Sequence, residues 1–355
     1  MDNQLYSSHY FKFINQDDAL AELINKEANQ LYRNIAGLDM SSLDFDDFGN
    51  HYFATHHTGR RLFFSIKSSA DIIYQSVKRS ERQVDELSFM DYGAGLGTLF
   101  LLAGSVGFRQ VYFNDYFPEW ARYAQALCEK LNIPVTDYIT GDIDHVIAYG
   151  QTNHVRFDII ASRNVIEHIY DLKKFYSTIF QSGLTGICFS TTTANYHNPA
   201  MRVKHYLYHY KVEKKYFRTQ RRTYINELEP GIAAADQEKL VALTRGRAFT
   251  DFTDTVDAYL QKKQILPVEF LRTNTCDCRT GVWAERLLTR KEYTQIVEGA
   301  GFEISYTPGF WDTRYKMGLL NLFTKCLNFI IGKTGIKGYY LSPFVNVIAC
   351  RNNNG

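Results

Sequence analysis

The chain has 355 residues, of which 45% are hydrophobic and 22% charged, and a formal net charge of +2. This is the composition of an ordinary globular protein, and its length suits one large α/β domain with insertions or two smaller domains. The net charge is too small to imply a dedicated nucleic-acid binder by itself. No run reaches the roughly 18 uninterrupted apolar residues of a membrane span.

The N-terminal sequence MDNQLYSSHYFKF has neither the charged region nor the apolar run of a signal peptide. Six cysteines lie far apart along the chain, a pattern that fits a reducing compartment. We therefore expect a cytoplasmic protein.

Residues 1–85 predict a helical N-terminal cap. The stretches ALAELINKEANQLYRNI and RLFFSIKSSADIIYQSVKRS carry apolar residues at intervals of three and four, the spacing of amphipathic helices. Between them, residues 51–61 form a polar, histidine-rich connector that ends in Arg60 and Arg61. Either guanidinium is a candidate partner for a carboxylate ligand, and a solvated loop is the alternative.

From residue 86 onward, strands alternate with helices. The predicted order is LSFMDYG (strand), TLFLLAGSV (helix), VYFND (strand), PEWARYAQALCEKLN (helix), TDYITGD and FDIIAS (strands), IYDLKKFYSTIF (helix) and GICFSTTT (strand). Such alternation predicts a parallel, doubly wound sheet.

The alternation stops near residue 200 and resumes near residue 281. Residues 201–280 are strongly charged and predict a helical insertion that caps the substrate. A helix, TRKEYTQIVEGAG, and two strands, FEISYTPG and PFVNVIACR, follow it. We therefore predict a Rossmann-like, mostly parallel sheet with an antiparallel last strand, formed by residues 86–200 and 281–355.

A glycine-rich turn, DYGAGLGT at residues 91–98, follows the first predicted strand. Gly93, Gly95 and Gly97 would let the backbone approach a ligand closely, because glycine has no Cβ. The spacing departs from the dinucleotide fingerprint G-x-G-x-x-G, since the third glycine comes one residue early. Asp91 would repel a pyrophosphate and favour a ligand that carries an ammonium group.

Two further acids follow the next two strands. Asp115 ends the second strand, 22 residues after Gly93, where a carboxylate can accept hydrogen bonds from both ribose hydroxyls. Asp142 follows the third strand and is a candidate acceptor for an adenine amino group, with Ile143 covering the ring. Acids at three successive strand ends are more specific together than any one is alone.

These segments, together with FDIIASRNVIEHI, resemble the ordered motifs of class I S-adenosylmethionine-dependent methyltransferases. The resemblance covers roughly residues 86–195 and, more weakly, 281–351. It implies S-adenosylmethionine as the cofactor, with its methionine part bound near Asp91, Gly93 and Gly95, its ribose by Asp115 and its adenine by Asp142. The further candidates for cofactor binding are Gly97, Ile143 and Asn164. The alternative is that the glycines only permit helix–strand packing and that the acids are solvated strand ends.

The segment Asn164–His168 follows the fourth strand, at the edge where open α/β sheets bind ligands. His168 is a candidate general base, with Glu167 orienting it or facing the substrate. Equally, both side chains could cap and pack the next helix. The segment also resembles the ExxEH segment of small-RNA 3′-terminal ribose methyltransferases and quinone-pathway O-methyltransferases.

In those RNA enzymes, Glu, Glu and His help to hold a divalent ion. Here Asn164 replaces the first acid, so we predict no metal site, although His197 is a further candidate ligand.

Two segments bear on the substrate. Residues 201–224 carry eight Lys or Arg and one Glu among aromatic residues. This pattern is typical of a solvated helix face, of a site for a phosphorylated or nucleotide-linked small substrate, or, third, of RNA binding. Glu285 and Arg286 are weak candidates for substrate contact.

Residues 318–332, GLLNLFTKCLNFIIG, predict a helix whose polar residues share one sector: Asn321, Thr324, Lys325 and Asn328. We expect its broad apolar face to be buried in the core. A cover over the substrate pocket or a peripheral membrane contact are the alternatives.

The sequence thus predicts transfer of a methyl group, with oxygen as the expected acceptor atom, to a small-molecule, glycan or lipid-linked acceptor. An RNA 3′-terminal ribose 2′-O-methyltransferase and a non-catalytic, S-adenosylmethionine-binding regulatory protein are the alternatives.

Overall fold

A computed structural model describes residues 10–267, 273 and 275–351. The first nine residues, on which the expectation about a signal peptide depends, lie outside the described residues. The predicted segments 1–85, 201–280 and 281–355 are therefore described without their residues 1–9, 268–272, 274 and 352–355.

The described strands form one seven-stranded sheet. In chain order they are β1 Ser88–Tyr92, β2 Gln110–Asp115, β3 Asp137–Thr140, β4 Ile159–Arg163, β5 Ile187–Thr192, β6 Glu303–Pro308 and β7 Val345–Cys350. The spatial order is β3-β2-β1-β4-β5-β7-β6. The first five strands are parallel, and β7 runs antiparallel to both β5 and β6. The predicted Rossmann-like sheet with an antiparallel last strand is confirmed.

Helices cover both faces of the sheet and build the cap and the insertion. In chain order they are α1 Ala19–Ala36, α2 Asp47–His56, α3 Gly59–Ser80, α4 Leu99–Val106, α5 Pro118–Leu131, α6 Ile143–Thr152, α7 Leu172–Ser182, α8 Pro199–Val212, α9 Arg218–Leu228, α10 Ala234–Leu243, α11 Phe249–Lys262, α12 Arg290–Ala300 and α13 Gly318–Thr334. A π-helical turn, Glu213–Phe217, joins α8 to α9.

The sheet separates two hydrophobic cores because successive strand residues point to opposite faces. Phe89 of β1 packs on the side of α1, α3, α4 and α5. Its neighbour Met90 packs on the opposite side with α6, α7 and α12. All five residues of β1 are buried, as expected for the central strand of a parallel sheet.

The N-terminal cap is tied directly to the glycine-rich turn. The Thr98 hydroxyl lies 2.8 Å from that of Ser65 and 2.9 Å from that of Ser69, both on α3. The predicted connector at 51–61 is largely helical: α2 occupies most of it, and the Asp46 carboxylate caps α2 by accepting from the Gly49 N–H. The cap therefore reaches the sheet edge as a packed helical unit.

The insertion has a small core of its own, which includes Ile225, Leu240 and Phe252. Part of its basic stripe is neutralised inside the insertion. Arg221 is buried and paired with Glu213, at 2.5 Å, and two neighbouring arginines, Arg218 and Arg222, both pair with Glu238.

Helix α13 is oriented opposite to our expectation. Its buried side chains are Thr324 and Ile331, while most of its large apolar residues are exposed. The prediction that its apolar face is buried in the core was wrong, because the polar sector finds backbone partners in the preceding loop.

Candidate functional site

A cavity of about 1380 Å³ opens at the carboxyl ends of β1, β2 and β4. Strand order reverses between β1 and β4, and open α/β sheets bind ligands at this point. We call it the strand-end cavity. The predicted site residues that line it are Asp91, Gly93, Gly95, Gly97, Asp115, Asp142, Ile143, Asn164 and His168. Side chains of the N-terminal cap and of the insertion close its other sides, among them Tyr52, His57, Met201 and Phe249.

The three glycines of the turn are needed for different reasons. Gly93 has φ +67°, and a Cβ there would lie 2.7 Å from the Val165 side chain. A Cβ on Gly97 would lie 2.7 Å from the Ala94 carbonyl oxygen. Gly95 has φ +50° and lines the cavity, and a Cβ there would find only the Tyr52 hydroxyl, at 3.9 Å. Gly95 therefore keeps open a space in which a ligand can meet bare backbone.

We expect Gly95→Val to weaken binding of S-adenosylhomocysteine by a hundredfold or more, because a branched side chain would occupy this space. Isothermal titration measures the loss. Gly183→Val is the matched control: Gly183 has φ +69° and nothing within 4 Å, and it lies outside the lining of the cavity. Both variants carry comparable backbone strain. Equal loss of affinity in both would show that strain, and not blocked space, is responsible.

Asp91 is buried at the base of the cavity and accepts a hydrogen bond from the Phe100 N–H, at 3.0 Å. Burial raises the pKa of Asp91 to about 7, although the positive charge of Arg163 opposes the rise. A buried carboxyl with so few partners would be stabilised as an anion by a ligand ammonium group. The geometry therefore suits the role that the sequence predicts for Asp91.

Arg163 lines the cavity and was not among the predicted site residues. It ends β4, and its Nη1 donates to the Ser65 carbonyl, at 2.8 Å. Together with Asp91 it sets one positive and one negative group on the same cavity, an arrangement that suits the zwitterionic end of an amino acid. A single arginine at the end of FDIIASR is the signal that could have indicated it.

The two arginines predicted as carboxylate partners have other partners in the structure. Arg60 pairs with Asp312 at 3.0 Å, and its guanidinium lies over the Tyr315 ring. Arg61 donates to the Thr55 carbonyl, at 2.9 Å. Both still line the cavity, but Arg163 is the better placed partner for a carboxylate near Asp91.

Asp115 joins the end of β2 to the glycine-rich turn. One carboxylate oxygen accepts from the Gly95 N–H at 2.9 Å, and the other accepts from the Phe117 N–H at 3.1 Å. Burial raises the pKa of Asp115, although these two hydrogen bonds oppose the rise. Exposed Tyr116 and Phe117 line the cavity beside it, so a carboxylate and two aromatic rings lie together.

Asp142 and Ile143 begin α6. The Asp142 carboxylate caps the helix by accepting from the Asp144 N–H, at 3.1 Å, and pairs with the His145 ring. Burial raises the pKa of Asp142, but the hydrogen bonds from His145 outweigh it and the net shift is downward. The carboxylate therefore stays anionic at the cavity, with the buried Ile143 side chain next to it.

Asn164 lets the chain turn away from β4 into the cavity wall. It has φ +57°, a left-handed conformation that asparagine tolerates better than most residues. Its N–H donates to the Thr191 carbonyl, at 2.8 Å. Asn164 is thus exposed on the cavity surface, two strands' width from Asp115.

His168 lies between two cavities. Its Nδ1 is 2.7 Å from the Trp283 carbonyl oxygen. Because a carbonyl only accepts, Nδ1 carries the proton, and a neutral ring then keeps its lone pair on Nε2. His168 lines the strand-end cavity and also a second cavity of about 910 Å³, which we call the insertion groove.

Glu167 is buried and does not line the strand-end cavity. Neither of its carboxylate oxygens has a hydrogen-bond partner among the described residues. Burial raises the pKa of Glu167, with the neighbouring His168 opposing the rise. The structure therefore does not bring Glu167 to the cavity beside His168. Neither residue caps the next helix, since Asp171 caps α7. That both side chains pack at the start of this helix stays an alternative.

His197, the further candidate metal ligand, also lies outside the strand-end cavity. Its Nε2 accepts from the Arg290 N–H, at 3.0 Å, and its ring packs against Tyr339. In the part of the chain that the structure describes, no three His, Cys, Asp or Glu side chains come together as a metal site.

The insertion groove brings together His168 and aromatic side chains from the insertion. Its lining includes Phe117, Tyr208, Tyr216, Phe217 and Trp283, with the cation of Lys215. Phe117 and His168 line both cavities.

Comparisons with known proteins match the part of the chain that contains most of this site. Residues 90–182 match the family described as "Methyltransferase domain". A ubiquinone biosynthesis O-methyltransferase from Methylobacterium sp. (strain 4-46) is 33% identical over 109 residues, which are 31% of this chain and 41% of that protein. The chain thus spans about two fifths of that relative's length.

Two solved structures are similar at low identity. A S-adenosylmethionine-dependent methyltransferase from Clostridium acetobutylicum ATCC 824 is 10% identical, with a TM-score of 0.43 over 86% of this chain and 100% of that one. The magnesium protoporphyrin IX methyltransferase of Synechocystis PCC 6803, with bound SAH, is 13% identical. Its TM-score is 0.37 over 87% of this chain and 96% of that one.

The matched residues 90–182 contain the glycine-rich turn, all three strand-end acids and His168, and these residues line the strand-end cavity. The chain carries a methyltransferase domain over residues 90–182.

Proposed function

We propose that this protein is an enzyme that transfers a methyl group from S-adenosylmethionine to an oxygen of a small-molecule acceptor. One observation carries the proposal: a single cavity collects the glycine-rich turn, the acids at three strand ends and His168. The O-methyltransferase relative supports oxygen as the acceptor atom.

The residues of the cavity fit the cofactor. Asp91 and Arg163 would hold the ammonium and carboxylate of its methionine part, with Gly95 leaving room for the chain. Asp115 would accept from the ribose hydroxyls, and Asp142 from the adenine amino group. When bound, S-adenosylmethionine supplies an electrophilic methyl group on a sulfonium.

His168 would act as the general base. An acceptor hydroxyl must lose its proton as the new bond forms, and the free lone pair of Nε2 can take that proton. The Trp283 carbonyl, which accepts from Nδ1, would hold the ring in place and stabilise the cation that forms. Glu167 is buried behind this surface, so we assign it no contact with substrate.

The insertion groove is where we place the acceptor, because His168 faces it as well as the cofactor cavity. Its aromatic walls favour a flat or apolar group, while Lys215 and Asp277 bring charges of both signs to its lining. Of glycan and lipid-linked acceptors, the groove supports the lipid-linked class better. RNA is not part of the proposal, because Arg218, Arg221 and Arg222 are engaged by glutamates. A cytoplasmic location remains a prediction from the sequence.

Two measurements test the proposal. Isothermal titration with S-adenosylmethionine and S-adenosylhomocysteine should show binding of both. A screen with radiolabelled methyl donor against phenolic, saccharide and lipid-linked acceptors should then show transfer. Binding without transfer to any class would favour the regulatory alternative, and absence of binding at millimolar concentration would refute the proposal.

Cofactor affinity should depend on pH through Asp91. The pKa of about 7 in the free protein means that Asp91 is mostly protonated below that pH, whereas a bound ammonium group requires the anion. Raising the pH toward 7 should therefore tighten binding, by up to roughly tenfold per pH unit. Above pH 7 the affinity should level off, because the carboxylate is already ionised.

Isothermal titration in buffers of different ionisation enthalpy would detect the released proton. Asp91→Asn should bind weakly at every pH and lose the slope. His57, whose pKa burial lowers to about 4, stays neutral over this range and should not contribute. An affinity that is constant between about pH 5.5 and 7 would contradict the assignment of Asp91.

A further inference from the structure

We infer that α13 is a docking surface for a bilayer that contains anionic lipids. The surface itself is independent of the proposed function; only its consequence, that the acceptor reaches the site from a lipid surface, rests on that function. None of the described helices is long and apolar enough to cross a membrane, so the proposed contact is peripheral.

The apolar face of α13 points away from the protein. Leu319 is 83% exposed, Leu322 61%, Phe323 59%, Phe329 67% and Ile330 44%. The other four lie three, four, ten and eleven residues after Leu319, which places all five on one face of a helix. Single exposed apolar residues are common on protein surfaces, but a continuous helical face of this kind marks a site of interaction.

Hydrogen bonds fix this orientation. The Asn328 amide accepts from the Trp311 N–H, at 2.7 Å, and donates to the Trp311 carbonyl, at 2.8 Å. Asn321 bonds both backbone groups of Tyr315 in the same way, at 2.6 and 2.8 Å. The two asparagines of the polar sector are thus bound to the loop, and rotating the apolar face inward would break four hydrogen bonds.

The charge around this face is positive and would attract an anionic surface. No Asp or Glu occurs after Asp312. Lys325 and Lys333 are exposed on α13, and Lys337 is exposed just after it. Helices that lie in the membrane interface combine an apolar face with flanking Lys or Arg, and each cation near an anionic bilayer adds to binding. A second copy of this chain would bring the same positive charge to the contact and be repelled.

The docking surface lies next to the strand-end cavity. Trp311 and Tyr315, which the α13 asparagines hold, both line that cavity. Bilayer contact on the outer face of α13 would therefore place the cavity beside the lipid headgroups. An amphiphilic acceptor could then enter without leaving the membrane surface.

Vesicle co-sedimentation of the full chain tests the inference. The wild type should sediment with vesicles of phosphatidylcholine and phosphatidylglycerol, and less with phosphatidylcholine alone or at high salt. Leu322→Glu/Phe323→Glu and Lys325→Glu/Lys333→Glu should each weaken binding about tenfold or more. These side chains are exposed, so the fold should survive, and a thermal melt checks it.

Two control variants match these changes. Ile265→Glu alters an exposed apolar residue elsewhere, and Lys291→Glu reverses an exposed charge on α12. Both should sediment as the wild type does. A wild type that stays in the supernatant, or α13 variants that bind unchanged, would overturn the inference.

A wild-type dimer in solution that Leu322→Glu/Phe323→Glu converts to a monomer would also overturn it, since a second copy would then cover α13. All variants should keep their affinity for S-adenosylhomocysteine. If the wild type does not bind S-adenosylhomocysteine, the proposed function is refuted. The vesicle result would still be valid in that case.

Discussion

Replacing Asp115 by alanine should weaken binding of S-adenosylmethionine and S-adenosylhomocysteine by about a hundredfold. In the proposed complex this carboxylate accepts from two ribose hydroxyls. Hydrogen bonds to a charged group contribute about 1.5–3 kcal/mol each, and about 2.7 kcal/mol corresponds to a hundredfold change in affinity. Isothermal titration at pH 8, where Asp91 is ionised, measures the effect without interference from that group.

Asp115 also has a structural role that must be separated from ligand binding. Its loss leaves the Gly95 and Phe117 N–H groups without their acceptor, which should lower the free energy of unfolding by about 1–3 kcal/mol. Asp115→Asn keeps an acceptor oxygen and most of the fold, but loses the charge. We expect it to bind the cofactor better than Asp115→Ala and worse than the wild type.

Asp137→Ala is the matched control. Asp137 begins the neighbouring strand β3 and accepts from the Tyr149 hydroxyl, at 2.7 Å, and it does not line the strand-end cavity. It should lose stability and keep cofactor affinity. If Asp115→Ala binds S-adenosylhomocysteine as tightly as Asp137→Ala does, the ribose assignment is wrong.

The fold was predictable because its signal is local and repeated. Buried strands such as FDIIAS and amphipathic helices such as IYDLKKFYSTIF alternate along the chain, and alternation dictates a parallel sheet. Two helices were not predicted. Helix α2 lies in a polar, histidine-rich stretch with little apolar periodicity. Helix α6 was not predicted, although the Asp142 N-cap and the acidic first turn were available as signals.

The orientation of α13 was not predictable from periodicity. The pattern of apolar residues shows that a helix is amphipathic, but it does not show which side meets the protein. That depends on backbone groups of Trp311 and Tyr315, which bond Asn328 and Asn321. A loop conformation that supplies these partners is not visible in the sequence of the helix.

Some residues of the candidate site could be predicted from the sequence, and others could not. The acids at strand ends could be predicted, because the carboxyl ends of parallel strands meet at one edge of a sheet. Arg163 also ends a strand, but a single arginine there belongs to no spacing pattern. Glu167 and His168 are adjacent in sequence, yet the turn after β4 buries one and exposes the other to both cavities. Neighbours in a turn do not share a face, so adjacency in sequence does not show which of the two side chains reaches a cavity.

Replacing His168 by alanine should lower kcat by about a hundredfold to ten-thousandfold, the usual contribution of a general base, with little change in cofactor affinity. A fall in kcat without a loss of cofactor affinity is the result that identifies a general base. His168 lines the cofactor cavity, but none of the cofactor groups in our assignment depends on it. A residue with only a structural role would affect both quantities or stability.

A glutamine variant separates the base from a packing residue. If Nε2 takes the proton of the acceptor, a side chain that cannot accept this proton should not support turnover. His168→Gln retains a hydrogen-bond donor toward the Trp283 carbonyl but cannot accept a proton from substrate. It should keep the fold and cofactor binding and still lose most of the activity.

His197→Ala is the control for His168. His197 is a half-buried histidine just beyond β5 that accepts from the Arg290 N–H and lies outside the strand-end cavity. Its loss should reduce stability slightly and leave kcat close to the wild-type value. A loss of turnover as large as that of His168→Ala would instead indicate that the two histidines act together, as the metal-binding alternative requires. Full activity in His168→Ala would remove this residue as the base, since no other histidine lines both the strand-end cavity and the insertion groove among the described residues.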